Sequence, residues 1–196
     1  MLSLTADNIG LLLISPMLYE ALVAATFLTR GRSRRSLTGV GPRTAAYGAT
    51  FLIPVFLWSS VRWAPEFVAA SSNSFLRVAG ASSWLLGSVI AFWPIWYMRR
   101  SFSIEPAARE LSSTGPYAFA RHPMYATHIL EYVGIWLLHA TIQFGIVLLV
   151  WFVLLRVRIG YEERVMRAEF PQYATYRNRV GAFGPRLRTT PPERGS

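Results

Sequence analysis

Long apolar stretches separated by short arginine-bearing segments dominate this chain. Three of them, at 9–28, 45–61 and 78–98, each hold close to the roughly 20 residues that an α-helix needs to cross the hydrocarbon core of a bilayer. A fourth apolar block, 125–159, is too long for one comfortable span, and glycine and polar residues interrupt it near its middle. We therefore predict two helices joined by a tight turn near 139–143, with a single tilted helix as the alternative.

The composition supports a membrane protein. Of the 196 residues, 53% are hydrophobic and 14% are aromatic, which is more apolar surface than a water-soluble domain of this length can cover. The predicted fold class is all-α: an integral-membrane helical bundle of about five transmembrane helices, the last two a tight helical hairpin, followed by a cytoplasmic C-terminal helical segment. Cysteine is absent, which excludes disulfides, thiolate catalysis and thiolate metal ligands.

All 20 positively charged side chains are arginine, and their distribution predicts an orientation. Five of them follow the first span, whereas the opposite side of the bundle offers Arg62 and Arg77. By the positive-inside rule, we expect the amino terminus outside and the carboxyl terminus in the cytoplasm. The first apolar segment lacks a basic n-region, so we interpret it as a retained span and not as a removed signal peptide.

The net charge of +10 calls for a partner of opposite sign. Because the arginines cluster at the ends of spans and no nucleic-acid module is recognisable, we expect anionic membrane lipids and no nucleic acid. The last residues, 186–196, are basic and rich in proline, and we expect a disordered tail there.

The densest polar chemistry precedes the fourth apolar block. The chain reads Gly-Pro-Tyr at 115–117 and Arg-His-Pro-Met-Tyr at 121–125, and its two prolines lie seven residues apart. Proline interrupts regular helix, so tyrosine, arginine and histidine are presented from a constrained backbone. Constrained polar backbone beside lipid usually surrounds a ligand. Within it, Arg121 either anchors at phosphate headgroups or contacts that ligand.

A second polar group follows the last apolar stretch, with Arg158, Glu162 and Glu163. Arg158 and Glu162 are four residues apart, so a continuing helix would place them on one face. Either the two side chains form an intrahelical ion pair or each contacts a ligand separately, and we favour separate ligand contacts.

These motifs, in this order and spacing, resemble the isoprenylcysteine carboxyl methyltransferase family, and the related phospholipid methyltransferases share the Arg-His-Pro-x-Tyr core. The likeness covers residues 100–185, and five later positions complete it: Met166, Phe170, Tyr173, Tyr176 and Val180. The resemblance implies an integral-membrane enzyme that transfers a methyl group from S-adenosylmethionine to a lipophilic acceptor and releases S-adenosylhomocysteine. Together with the hydropathy pattern, it divides the chain into three N-terminal transmembrane helices with a basic loop (1–100), a methyltransferase core (101–185) and the tail (186–196).

The resemblance further implies roles for individual residues. It makes Arg158 and Glu162 the catalytic residues, with Arg158 binding the acceptor. We expect no metal site, because the spacing of His122, His128 and Glu131 fits no strong ligand motif. The positions expected to bind the cofactor are Leu111, Ser112, Tyr117, His122, Pro123, Met124, Tyr125 and Glu162. The expected partner is a lipophilic small molecule or a lipidated acceptor, and the expected location is a prokaryotic cytoplasmic membrane.

The chemistry of S-adenosylmethionine suits these residue types. Its sulfonium cation and zwitterionic tail call for a carboxylate, aromatic faces and hydrogen-bond donors. Because a lipophilic acceptor arrives from the bilayer, both reactants can meet at headgroup level. We therefore expect the proline-hinged segment and the acidic extension of the last long helix to close together around the donor.

Alternatives remain open at this point. The acceptor nucleophile is a carboxylate, an amine or a thiol, and Arg158 favours a carboxylate because guanidinium binds that group bidentately. A membrane reductase that uses NADPH would need arginines to converge near the motif, and Arg109, Arg121, Arg164 and Arg167 are candidates. A lipid-binding or transport protein is the non-enzymatic alternative.

Overall fold

The computed structural model describes residues 35–37, 39–98, 106–108 and 110–186. The predicted span at 9–28 and nearly all of the predicted tail lie outside these ranges. Within them the chain forms five α-helices: α1 Val40–Trp63, α2 Ser74–Met98, α3 Pro123–His139, α4 Ile142–Glu169 and α5 Tyr173–Arg179. Two short strands, β1 Arg35–Ser36 and β2 Ala107–Ala108, pair antiparallel, with Arg35 opposite Ala108 and Ser36 opposite Ala107.

The described helices confirm the prediction of a largely helical membrane bundle. Three of them are long and apolar enough to cross a bilayer by length and composition: Val40–Trp63, Ser74–Tyr97 and Ile142–Glu169. Helices α1 and α2 contain the predicted spans 45–61 and 78–98. The sidedness predicted from the arginines, and the division of the chain at residues 100 and 185, stay predictions.

The long apolar block consists of two helices. Helix α3 ends at His139, Ala140 adopts a left-handed conformation with φ 54°, and α4 begins at Ile142. The hydroxyl of Thr141 donates to the carbonyl of Phe67 at 2.6 Å, which ties this turn to the short 3-10 helix Pro65–Val68. Helix α4 then runs without a break through Arg158 and Glu162, so these two residues do share a helical face.

The helices pack chiefly in two pairs, α2 with α3 and α1 with α4. Glycine allows the first pair to approach closely, because a Cβ atom on Gly134 would lie 2.5 Å from the backbone nitrogen of Trp84 and 2.7 Å from the carbonyl oxygen of Gly80. Such small-residue contacts are common where helices pack in membranes. In the second pair, Trp151 Nε1 donates to the carbonyl of Ala49 at 2.9 Å.

An apolar cluster brings the carboxy-terminal segment back to the polar motif. Helix α5 packs on the end of α4 through buried side chains that also reach β2; the members are Ala108, Val165, Phe170, Tyr173, Tyr176 and Val180. Beyond α5, Gly181 forms a parallel bridge with Ala120. The motif and the segment after α5 are therefore neighbours in the fold.

Candidate functional site

The proline-rich motif is a short 3-10 helix followed by the start of α3. The 3-10 helix Gly115–Ala118 begins at a glycine with φ 57°, and a Cβ atom there would collide with the ring of Tyr97, so this turn requires glycine. Pro123 occupies the first helical position of α3, where its missing N–H costs nothing. The backbone nitrogens of Arg121 and His122 donate to the carbonyls of Gly181 (2.9 Å) and Ala182 (2.8 Å), which fixes the motif against the carboxy-terminal segment.

Glu162 lies where α3 meets α4. The hydroxyl of Tyr125 donates to Glu162 Oε1 at 2.5 Å, and Arg158 Nε donates to the same oxygen at 3.0 Å. The other oxygen, Oε2, lies 3.8 Å from His122 Nδ1, and the rings of His122 and Tyr125 stack at a centroid distance of 5.6 Å. The Glu162 side chain is 20% exposed, so one oxygen is held by two donors while the carboxylate stays partly accessible.

Arg158 is buried and is held by three helices. The residue is 6% exposed; Nη1 donates to Thr50 Oγ1 at 2.8 Å and to the carbonyl of Ala46 at 3.2 Å, both on α1. Its Cζ atom lies 5.3 Å from the ring centroid of Tyr125 on α3. The structure shows the intrahelical ion pair between Arg158 and Glu162. The separate ligand contacts that we favoured stay a prediction.

Glu163 is the centre of a second network, which the sequence reasoning missed. The residue is 5% exposed, and its Oε1 accepts from Arg121 Nε at 3.0 Å and from Arg121 Nη2 at 2.8 Å. His122 Nε2 lies 3.3 Å from the same oxygen, and Arg177 Nε donates to Oε2 at 3.2 Å. The signal was an acidic residue beside Glu162 and a basic residue beside His122, but spacing alone does not pair them.

Arg121 binds several segments of the protein. Besides its contacts with Glu163, Arg121 Nη1 donates to the backbone carbonyls of Val180 and Arg177. The guanidinium therefore joins α4 and the motif to the end of α5 and the segment that follows it. Its contact with headgroups or with a ligand stays a prediction. Its contribution to the site is to hold these three pieces together.

The phenols near the motif are neutral. Tyr176 donates its hydroxyl to the backbone carbonyl of Tyr117 at 2.7 Å. Burial raises the pKa of Tyr176 to about 12, and burial, followed by the neighbouring Tyr176 and Glu162, raises the pKa of Tyr117 above its ordinary value. At physiological pH both side chains therefore act as uncharged hydrogen-bonding and aromatic groups.

The other predicted cofactor positions surround this region in different ways. Pro123 and Met124 are buried at the start of α3, Leu111 packs against the apolar cluster under α5, and Ser112 is half-buried. The structure therefore brings the side chains of His122, Tyr125, Arg158 and Glu162 into one network, whereas contacts of the remaining positions with a cofactor stay predictions.

The donor set fits a cationic, zwitterionic ligand. A partly accessible carboxylate, a stacked imidazole and phenol, and neutral tyrosines are the groups that a sulfonium compound requires. Of the arginines considered for a phosphate-rich cofactor, Arg121 is bound to Glu163, Arg164 and Arg167 are exposed, and Arg109 lies outside the described residues. Within the described ranges, no group of three histidine or acidic residues is arranged to hold a metal ion.

Known proteins match the part of the chain that contains this network. The phospholipid methyltransferase family matches residues 75–173, from the start of α2 to the start of α5. The cobalt-zinc-cadmium resistance protein CzcN of Cupriavidus metallidurans is 28% identical over 139 residues, which cover 70% of this chain and 60% of that protein. The nickel-cobalt-cadmium resistance protein NccN of Alcaligenes xylosoxydans xylosoxydans is 34% identical over 127 residues, 64% of this chain and 55% of that protein.

The chain thus spans between half and two thirds of the length of these curated relatives. The family match covers half of the chain and includes His122, Tyr125, Arg158 and Glu162. On this match, the chain belongs to the phospholipid methyltransferase family.

Proposed function

We propose that this protein is an integral-membrane methyltransferase that uses S-adenosylmethionine and acts on a lipophilic acceptor, most readily a carboxylate. The observation that carries the proposal is the contact between the proline-hinged motif and the acidic extension of α4. There Tyr125 binds Glu162 at 2.5 Å, and His122 lies between the two carboxylates.

The residues of this contact would hold the cofactor. Bound S-adenosylmethionine supplies a methyl group on an electrophilic sulfonium. Glu162 places a negative charge beside such a cation, and the ring of Tyr117 is suited to cation–π contact. Because Tyr125 and Arg158 both bind Oε1, the carboxylate keeps its position before any ligand arrives, which reduces the ordering that binding requires.

Arg158 would hold the acceptor. Its guanidinium is fixed by Glu162 on one side and by Thr50 on another, so an acceptor carboxylate would meet a cation that is already oriented. Transfer by direct displacement needs no covalent enzyme intermediate. The contribution of the protein is to keep nucleophile and methyl group in line and to exclude water.

An amine of a phospholipid headgroup is the second candidate acceptor. It is favoured by the family match and by the ion pair itself, because Glu162 already balances the charge of Arg158 at 3.0 Å. An NADPH-dependent reductase receives less support, since Arg121 is bound to Glu163 and Arg164 lies against the ring of Tyr161.

Ligand-dependent thermal stability tests the cofactor. In detergent, S-adenosylhomocysteine at 100 times its dissociation constant should stabilise the protein by about 2.7 kcal/mol, and NADPH should not. His122→Ala and Glu162→Ala should abolish this stabilisation, whereas the matched control Glu169→Ala, also on α4, should keep it. Stabilisation by NADPH alone would overturn the proposal. If S-adenosylhomocysteine still stabilises both site variants, the pocket lies elsewhere.

Methyl transfer can be followed without knowing the acceptor. Membranes that contain the protein, incubated with S-[methyl-³H]adenosylmethionine, should incorporate label into solvent-extractable lipid. Arg158→Ala should lower this incorporation while S-adenosylhomocysteine still stabilises the variant. Mild base releases a methyl ester as volatile methanol, whereas a methylated amine stays in a non-volatile product. Volatile label therefore supports the carboxylate acceptor, and non-volatile label supports the phospholipid amine.

A further inference from the structure

Arg158 depends on α1 for part of its hydrogen bonding. The residue belongs to a membrane-spanning helix and is 6% exposed, and a buried guanidinium there is costly unless acceptors meet it. Two such acceptors come from one turn of α1, Thr50 Oγ1 at 2.8 Å and the carbonyl of Ala46 at 3.2 Å. These atoms are more than 100 residues away in the sequence from Arg158.

The hydroxyl of Thr50 is oriented for this contact. A threonine hydroxyl has one hydrogen to donate and two lone pairs that accept. Thr50 donates its hydrogen to the carbonyl of Ala46 at 2.8 Å, which turns its lone pairs towards Arg158. Rotating the hydroxyl away would break one of the two hydrogen bonds, so the threonine is a fixed acceptor for the guanidinium.

We infer that Thr50 is a positioning residue for methyl transfer, acting through Arg158. The inference rests on the proposed function and extends the site to α1, because Thr50 lies outside residues 75–173, which match the family. Thr50 holds Nη1 while Nε binds Glu162, so the plane of the guanidinium is set by two contacts from different helices.

The network predicts which property depends on Thr50. Glu162 Oε1 is also held by the hydroxyl of Tyr125 at 2.5 Å, so the carboxylate keeps a partner when Thr50 is replaced. Arg158 loses the side-chain acceptor that orients Nη1. Cofactor affinity should therefore persist while the transfer step slows, and this separation distinguishes positioning from general packing.

Three variants of α1 test the inference. Thr50→Val keeps the branched shape without the hydroxyl, and it should lower methyl incorporation into extractable lipid about tenfold or more, the scale of a hydrogen bond to a charged group. Thr50→Ser restores the hydroxyl and should stay close to wild type. Ser59→Ala is the matched control, because Ser59 on the same helix donates to the carbonyl of Phe56 at 3.0 Å, away from Arg158. All three should retain stabilisation by S-adenosylhomocysteine.

A double-mutant cycle identifies the residue through which Thr50 acts. With Arg158→Gln in place, Thr50→Val should cost little further activity, because the contact that it removes is already lost. If the activity losses of the two single variants multiply in the double variant, Thr50 acts independently of Arg158. If Thr50→Val fails to fold, Thr50→Ala takes its place in the same cycle.

The outcomes separate this inference from the proposed function. Wild-type activity from Thr50→Val, or equal losses from Thr50→Val and Thr50→Ser, would overturn the inference and leave the methyltransferase intact. A wild-type protein that neither binds S-adenosylhomocysteine nor transfers methyl groups would instead refute the proposed function.

Discussion

Glu163→Gln should destabilise the fold strongly because Glu163 carries the buried charge that holds three segments together. Glutamine keeps the shape and one acceptor oxygen, but it removes the negative charge and places an NH₂ group where Oε2 accepts from Arg177 at 3.2 Å. The charge of Arg121, which contacts Oε1 at 2.8 Å, is then uncompensated.

The size of the effect follows from burial. Breaking a buried ion pair by removing one partner typically costs about 3–5 kcal/mol. Arg121 keeps its bonds to the carbonyls of Val180 and Arg177, so we expect about 3 kcal/mol, the lower end of that range. For a chain of this size, this corresponds to a fall in melting temperature on the order of 10 °C.

Thermal unfolding in detergent measures this difference directly. Two control variants are measured beside it. Arg177→Gln removes a partner of Glu163 whose side chain is 47% exposed. Arg164→Gln removes an exposed arginine beside Tyr161. Each should cost no more than about 1 kcal/mol, as exposed ion pairs do. If Glu163→Gln melts within a degree or two of Arg177→Gln, the reasoning that burial gives this network its strength is wrong.

Two further predictions concern packing and pH. Gly134→Ala should destabilise the protein by about 1–3 kcal/mol because its Cβ would press on the backbone at Trp84, whereas Gly160→Ala, with nothing within 4 Å, should stabilise it by about 0.5–1 kcal/mol; denaturant unfolding in detergent compares them. The pKa of Tyr176 rises from 10.0 to about 12 in the folded protein. Its contribution to the free energy of unfolding should therefore be fully present below pH 10 and be lost as the pH rises towards 12. Tyr176→Phe should reduce this loss of stability at alkaline pH. At neutral pH it should cost about 1 kcal/mol, because the hydrogen bond to Tyr117 is lost. If the melting temperatures of both proteins fall equally between pH 10 and pH 12, the assignment to Tyr176 is wrong.

The sequence by itself determined the helices and the polar motif. A bilayer requires runs of apolar residues of set length, so 45–61 and 78–98 were recognisable from composition along the chain. The turn after His139 was readable because polar residues and glycine interrupt an apolar block there. The Arg-His-Pro-Met-Tyr motif was found for a similar reason, because it is a local arrangement with fixed spacing.

Only the tertiary structure decided which charged groups meet. It paired Arg158 with Glu162 and brought Thr50 to them from another helix, and it placed Arg121 against Glu163. Hydropathy measures how each segment partitions into lipid and carries no information about which helix faces which. That choice depends on close backbone approach and on the need of every buried charge for a partner, and both conditions are met only when the helices are packed.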